Sequence, residues 1–128
     1  MTEVIQGLAT AAAPTYAEGA RGPLSTDLKG GVRTVPGAAS TATLSAVASG
    51  TSSAQALAAN TSRKGVIAVN TDANVVYLKY GTTASATSFT VRLAENETWV
   101  MPAPIYTGRI DAIWATDGAG SLYITELT

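Results

Sequence analysis

The sequence predicts an all-β fold: a β-sandwich or jelly-roll domain over residues 36–128, preceded by an extended N-terminal arm over residues 1–35. Three observations predict it. Beyond Arg63, short runs rich in Val, Ile, Tyr and Trp recur at intervals of about ten residues, the spacing of a strand-and-turn architecture. Gly and Pro interrupt the first third too often for a helix. The chain contains no histidine and no cysteine, so neither a disulfide framework nor a Cys/His zinc site holds the fold, and packing and assembly must do so.

Within the arm, the stretch from Pro14 to Val35 has turns at Glu18-Gly19 and Lys29-Gly30-Gly31. Its apolar residues, Tyr16, Leu24, Leu28, Val32 and Val35, are too sparse to form a core and are expected to dock on something else. Thr34 through Ser62 carries no charged side chain. It reads either as a low-complexity linker or as one or two strands of small residues. Strand is favoured for Ser40–Ala48, where Ala42, Leu44, Ala46 and Ala48 alternate with Thr41, Thr43, Ser45 and Val47. Ser53–Ala59 has the helix propensity of a short helix as an alternative.

Val66–Val69 and Val75–Tyr80 are β-branched and aromatic runs, and the turn cluster Asn70–Asn74 between them predicts a hairpin. Phe89, Val91 and Leu93 alternate with Thr90 and Arg92 and are expected to face inward. Glu97–Met101 forms the next strand, closed by Pro102 and Pro104, which donate nothing to a ladder. Arg109–Ala115 and Ser121–Leu127 flank Asp117-Gly118-Ala119-Gly120, a loop of hairpin composition.

Composition narrows function. Without imidazole or thiol, only carboxylates, Lys, Tyr and hydroxyls remain to carry a reaction, and the expectation is no catalysis and no cofactor. Charged residues make up 13% of the chain, against about 25% in ordinary domains, so part of the surface is expected to meet protein. Eight basic and nine acidic residues with no basic block give no footprint for nucleic acid. No run reaches the roughly 18 apolar residues of a membrane span, and the opening Met1–Leu8 lacks the basic region of a cleaved leader.

Individual motifs favour plain structural roles. Glu95 and Glu97 are expected in a turn between strands, as two solvated charges rather than a hydrolytic pair. Asp72 stands alone among neutral neighbours, unlike a calcium loop. Gly19, Gly22, Gly118 and Gly120 read as turn glycines, the Asn60 and Asn96 glycosylation patterns as chance matches, and Arg63-Lys64 as a solvated basic pair. Trp99, Trp114 and Tyr77 are expected in the core or an interface, and Tyr106, in the loop Pro102–Gly108, as an exposed contact.

The arm motifs Pro14–Gly19, Pro23–Leu28 and Gly30–Arg33 resemble the N-terminal segment of small virion structural proteins of tailed bacteriophages. Asn60–Gly65, Val76–Gly81, Met101–Gly108, Ile113-Trp114 and Thr125–Leu127 look like the compact β-domain that follows it. The resemblance implies a capsid decoration (cement) protein, typically a homotrimer with a jelly-roll body, that binds the major capsid protein or other virion proteins. It implies location in the virion, assembled in the host cytoplasm. Partner contacts are then expected at Tyr16, Pro23, Leu24, Leu28 and Val32 of the arm and at Tyr106. A neck, collar or fibre-base protein attaching an adsorption fibre, and a carbohydrate-binding module using Trp99, Trp114 or Tyr106, are the alternatives.

Overall fold

A computed structural model describes residues 37–128. The expected arm and its contact residues Tyr16, Pro23, Leu24, Leu28 and Val32 lie outside the described residues. The all-β expectation is met. Eight strands, β1 (Ala42–Ala48), β2 (Ala54–Leu57), β3 (Gly65–Asn70), β4 (Val76–Tyr80), β5 (Val91–Leu93), β6 (Thr98–Val100), β7 (Ile110–Trp114) and β8 (Ser121–Leu127), form two four-stranded sheets.

One sheet has the order β1-β8-β3-β6 and the other β2-β7-β4-β5, and every strand pair is antiparallel. The pairs β1·β8, β2·β7, β3·β6 and β4·β5 are those of one long hairpin folded in half. Rolling that ribbon up adds the contacts β3·β8 and β4·β7, which is the jelly-roll arrangement. Only β4 and β5 are consecutive strands of the same sheet.

That topology corrects two expected hairpins. Asn70–Asn74 connects β3 to β4 across the sandwich, and Asp117–Gly120 likewise carries β7 into β8 of the opposite sheet. A five-residue turn cluster is long enough to bridge the roughly 10 Å between packed sheets, so turn composition does not distinguish a hairpin from a crossing. Ala54–Leu57 is strand rather than short helix, because pairing with β7, with a bulge between Gln55 and Leu57, outweighs local propensity. Phe89 lies before β5 and does not face the core; its ring packs on Tyr77 at 5.0 Å between centroids.

The core lies between the sheets. Val66, Ala68, Leu122 and Ile124 from one sheet meet Leu57, Val76, Leu78, Leu93, Ile110, Ala112 and Trp114 from the other, with Met101 beside them. Each belongs to the inward parity of its strand.

Buried polar residues fix the loops at the ends of the strands. Asn70 donates through Nδ2 to the carbonyls of Asn74, Leu93 and Ala94, while its Oδ1 accepts from the Asp72 N–H and the Trp114 indole. Asp72 accepts from the Asn74 N–H at 2.7 Å and the Gly120 N–H at 2.7 Å, joining two of the crossing loops. Gly118 and Gly120 are therefore more than turn residues. A Cβ on Gly118 would strike the Asp72 carboxylate, and one on Gly120 would strike the Asp72 backbone.

Arg63 is buried rather than solvated. Its guanidinium pairs with Glu126 at 2.7 Å and donates to the carbonyls of Tyr106, Gly108 and Ala58 at 2.8, 2.8 and 2.6 Å. The planar fork of donors, which a lysine lacks, is what lets one side chain tie the Ala58 and Tyr106–Gly108 backbone to the Glu126 carboxylate of β8.

Candidate functional site

The two sheets differ on their outer faces. In the β2-β7-β4-β5 sheet, strand register places Gln55, Tyr77, Lys79, Arg92, Asp111 and Ile113 outward. The long β4–β5 connection folds back over part of this face. Asp111 accepts the Thr83 N–H at 2.8 Å and is gripped by Arg109, and the Ser53 hydroxyl accepts the Ala84 N–H at 2.9 Å. Burial pushes the Asp111 carboxyl up, but the hydrogen bonds from Arg109 and Thr83 outweigh it and hold the group below its ordinary value. This face is polar, charged and partly covered by its own loop.

The β1-β8-β3-β6 sheet presents the opposite. Ala42, Leu44, Ala46 and Ala48 of β1 line up with Leu127, Thr125, Tyr123 and Ser121 of β8, then Gly65, Ile67 and Val69 of β3, then Val100 and Thr98 of β6. None of these side chains is charged. Of the five large hydrophobic residues exposed among the described residues, this face holds four: Leu44 at 68% exposure, Val100 at 63%, Tyr123 at 45% and Ile67 at 37%. Those four alone leave on the order of 400 Å² of apolar surface open, already the size of the largest patch on a typical monomer.

Its surroundings carry charge at both ends. Where β6 begins, Glu95 and Glu97 lie exposed in the tight turn after β5, with Asn96 in the left-handed region at φ 58°. Asp117 lies at the same end, within hydrogen-bonding reach of Ser49 just beyond β1. At the opposite end, Lys64 precedes β3 and donates to the Ala38 carbonyl at 2.7 Å. The face is thus neutral, with an acidic end and a basic end.

Strand β1 adds a second feature. It pairs only with β8, so its other edge offers unpaired N–H and C=O groups among the described residues, and no charge or proline within its seven residues guards it.

The aromatic residues singled out from the sequence sit elsewhere. Tyr106 is half-buried and stacks on Tyr80 with centroids 4.4 Å apart and planes 5° from parallel. Tyr80 also meets Trp99 at 6.2 Å, so these three rings join one cluster packed against the core. Burial raises the pKa of the Tyr80 hydroxyl, with the Arg63 charge acting against it. Trp114 is buried within the sandwich. Tyr106 therefore has one ring face already occupied, and it lies in a loop outside the strands that carry Leu44, Ile67, Val100 and Tyr123.

The four exposed residues escape sequence reasoning because alternation separates two faces without saying which is inside. One signal was present. Val66-Ile67-Ala68-Val69 is continuously apolar, the pattern of a strand covered on both sides.

No group of three or more acidic side chains able to hold a metal ion occurs among the described residues. The buried carboxylates are engaged in holding loops. Hydrogen bonds from the Asn74 and Gly120 backbone keep Asp72 below the ordinary carboxylate range against its burial. No protein-family model, curated protein or solved structure matches the chain.

Proposed function

We propose that this chain is a non-enzymatic virion structural protein, and specifically a capsid decoration protein that binds the outer surface of a tailed-phage head. The observation that carries the reading is the uncharged outer face of the β1-β8-β3-β6 sheet, whose open apolar surface calls for a protein partner. The unguarded edge of β1 adds a second means of contact through backbone hydrogen bonds to a neighbouring chain.

Chemistry supports a structural role over a catalytic one. A general acid near neutral pH needs a raised carboxyl pKa, whereas Asp72 and Asp111 are both held low by the bonds that pin their loops. The carbohydrate-binding alternative loses support, since Trp114 is buried and Tyr106 stacks on Tyr80. A shell also multiplies weak contacts, because symmetric repetition lets many small interfaces act together.

Location in the particle is the test. Cryo-electron microscopy of tailed-phage heads incubated with the purified full chain is expected to show it in hundreds of copies on the outer shell. Density confined to the neck, at about a dozen copies, would move the assignment to a collar or fibre base. Failure to bind any part of the particle would reject the virion reading.

A further inference from the structure

We infer that the cover of the β1-β8-β3-β6 face is a second copy of this chain, docked face to face with its strands reversed about a two-fold axis that lies in the interface across the strands. The inference rests on the structural role proposed above and names the partner for that same face, leaving the capsid contact to the edge of β1.

Charge selects the partner. A face that bears no charge can meet its own copy without setting like charges against each other, whereas the face of the opposite sheet, with Lys79 and Arg92, cannot do so as easily. Charge also selects the axis. A two-fold along the strands would keep the ends and exchange the edges, setting the Glu95 and Glu97 end of one copy against the Asp117 end of the other. A two-fold across the strands keeps each strand's lateral place and exchanges the ends. It sets the Lys64 end of one copy over the Glu95 and Glu97 end of its mate.

Size is compatible with the pairing. Leu44, Ile67, Val100 and Tyr123 supply the open apolar centre, and Ala42, Ala46, Ala48 and Thr98 extend it toward the roughly 800 Å² that each partner buries in a standard interface. Two twisted sheets stack well in this manner, with β1 of one copy over β1 of its mate, where the small side chains permit close approach. The resulting assembly has two chains, not the three that the phage resemblance implies.

Sedimentation velocity of the full chain across a concentration series tests this. The wild type is expected at the mass of two chains, and Leu44→Glu/Val100→Glu at the mass of one, with unchanged far-UV circular dichroism and a dissociation constant raised at least about a hundredfold. Both replaced side chains are exposed, and the charge variants give a second readout that does not touch the apolar centre. Lys64→Glu and Glu95→Lys are each expected to weaken pairing severalfold, and the two together to restore it. A wild type of one chain, or of three, overturns the inference, as does a Leu44→Glu/Val100→Glu protein that still pairs or a double charge swap that fails to restore pairing. A one-chain wild type that coats phage heads would remove the paired interface and leave the decoration role standing. A two-chain wild type that binds no particle would do the reverse.

Discussion

Replacing Arg63 is expected to do more damage than any other single change to a charged residue in the β-domain. The guanidinium is fully buried and has four partners: the Glu126 carboxylate and the carbonyls of Ala58, Tyr106 and Gly108. In Arg63→Met the apolar stem is retained, so the loss isolates the polar contacts from packing. Removing one member of a buried ion pair costs about 3–5 kcal/mol, because the remaining charge is left uncompensated. The carbonyls lead to the same range: leaving a buried acceptor without its donor costs about 1–3 kcal/mol, reduced here because Ala58 is exposed and water can reach it. With a urea dependence of about 1 kcal/mol per molar for a domain of this size, the midpoint falls by roughly 3 M. Trp99 and Trp114 report the transition by fluorescence, and hydrogen exchange is expected to show the Pro102–Gly108 loop opening first. Arg63→Lys should fall between, since an ammonium keeps the charge but cannot reach all four partners. A midpoint for Arg63→Met within about 0.5 M of wild type would refute the reasoning that this arginine holds three segments together.

Three further outcomes concern the loops held by Asn70 and Asp72 and the buried Asp111. Gly120→Ala is expected to destabilise by about 1–3 kcal/mol in urea unfolding, because the new Cβ meets the Asp72 backbone, which cannot turn aside. Gly50→Ala is its control and should shift stability by less than about 0.5 kcal/mol, since nothing lies within 4 Å of a Cβ there. Asn70→Ala, which removes the side-chain donor shared by the Asn74, Leu93 and Ala94 carbonyls and leaves a gap in the core, is expected to cost about 3 kcal/mol by the same measurement. For pH, the folded values of Asp72 and Asp111 lie below their unfolded ones, so both contribute stability above the unfolded pKa of about 4 and lose it as pH falls through the folded values. Melting temperature should therefore hold steady from neutral pH to about 5 and drop below about 4, with a smaller acid loss in Asp111→Asn.

Much of the strand inventory was legible because β-branched runs and turn residues act locally. Val66–Val69, Val75–Tyr80, Arg109–Ala115 and Ser121–Leu127 each overlap an observed strand closely. Sheet membership was not legible, because Asn70–Asn74 has the composition of a hairpin turn while Asn70 and Asp72 use it to cross between layers. Arg63 was opaque for a similar reason. Its partners come from residues 58, 106, 108 and 126, and no local window contains them. The orientation of β1 inverted a simple hydrophobicity reading. Its face with Leu44 and three alanines is outside, while Thr43, Ser45 and Val47 lie on the inward side.

That inversion bears on what the molecule is built to do. A sandwich that ended its assembly as a monomer would gain by turning Leu44 inward and a threonine outward, a change of strand register by one residue. Here the register instead pairs Ser45 with Ile124 and leaves Leu44 beside Thr125 in solvent. The charged residues do not compensate, because Arg63, Asp72 and Asp111 are buried, while Glu126 and Arg109 are engaged with them. Among the described residues the surface is thus poorer in free charge than their composition alone implies, and the outer face of one sheet carries none. Retaining an open apolar face at the cost of inward polar residues on β1 is consistent with a chain whose stable working state includes a neighbour on that face.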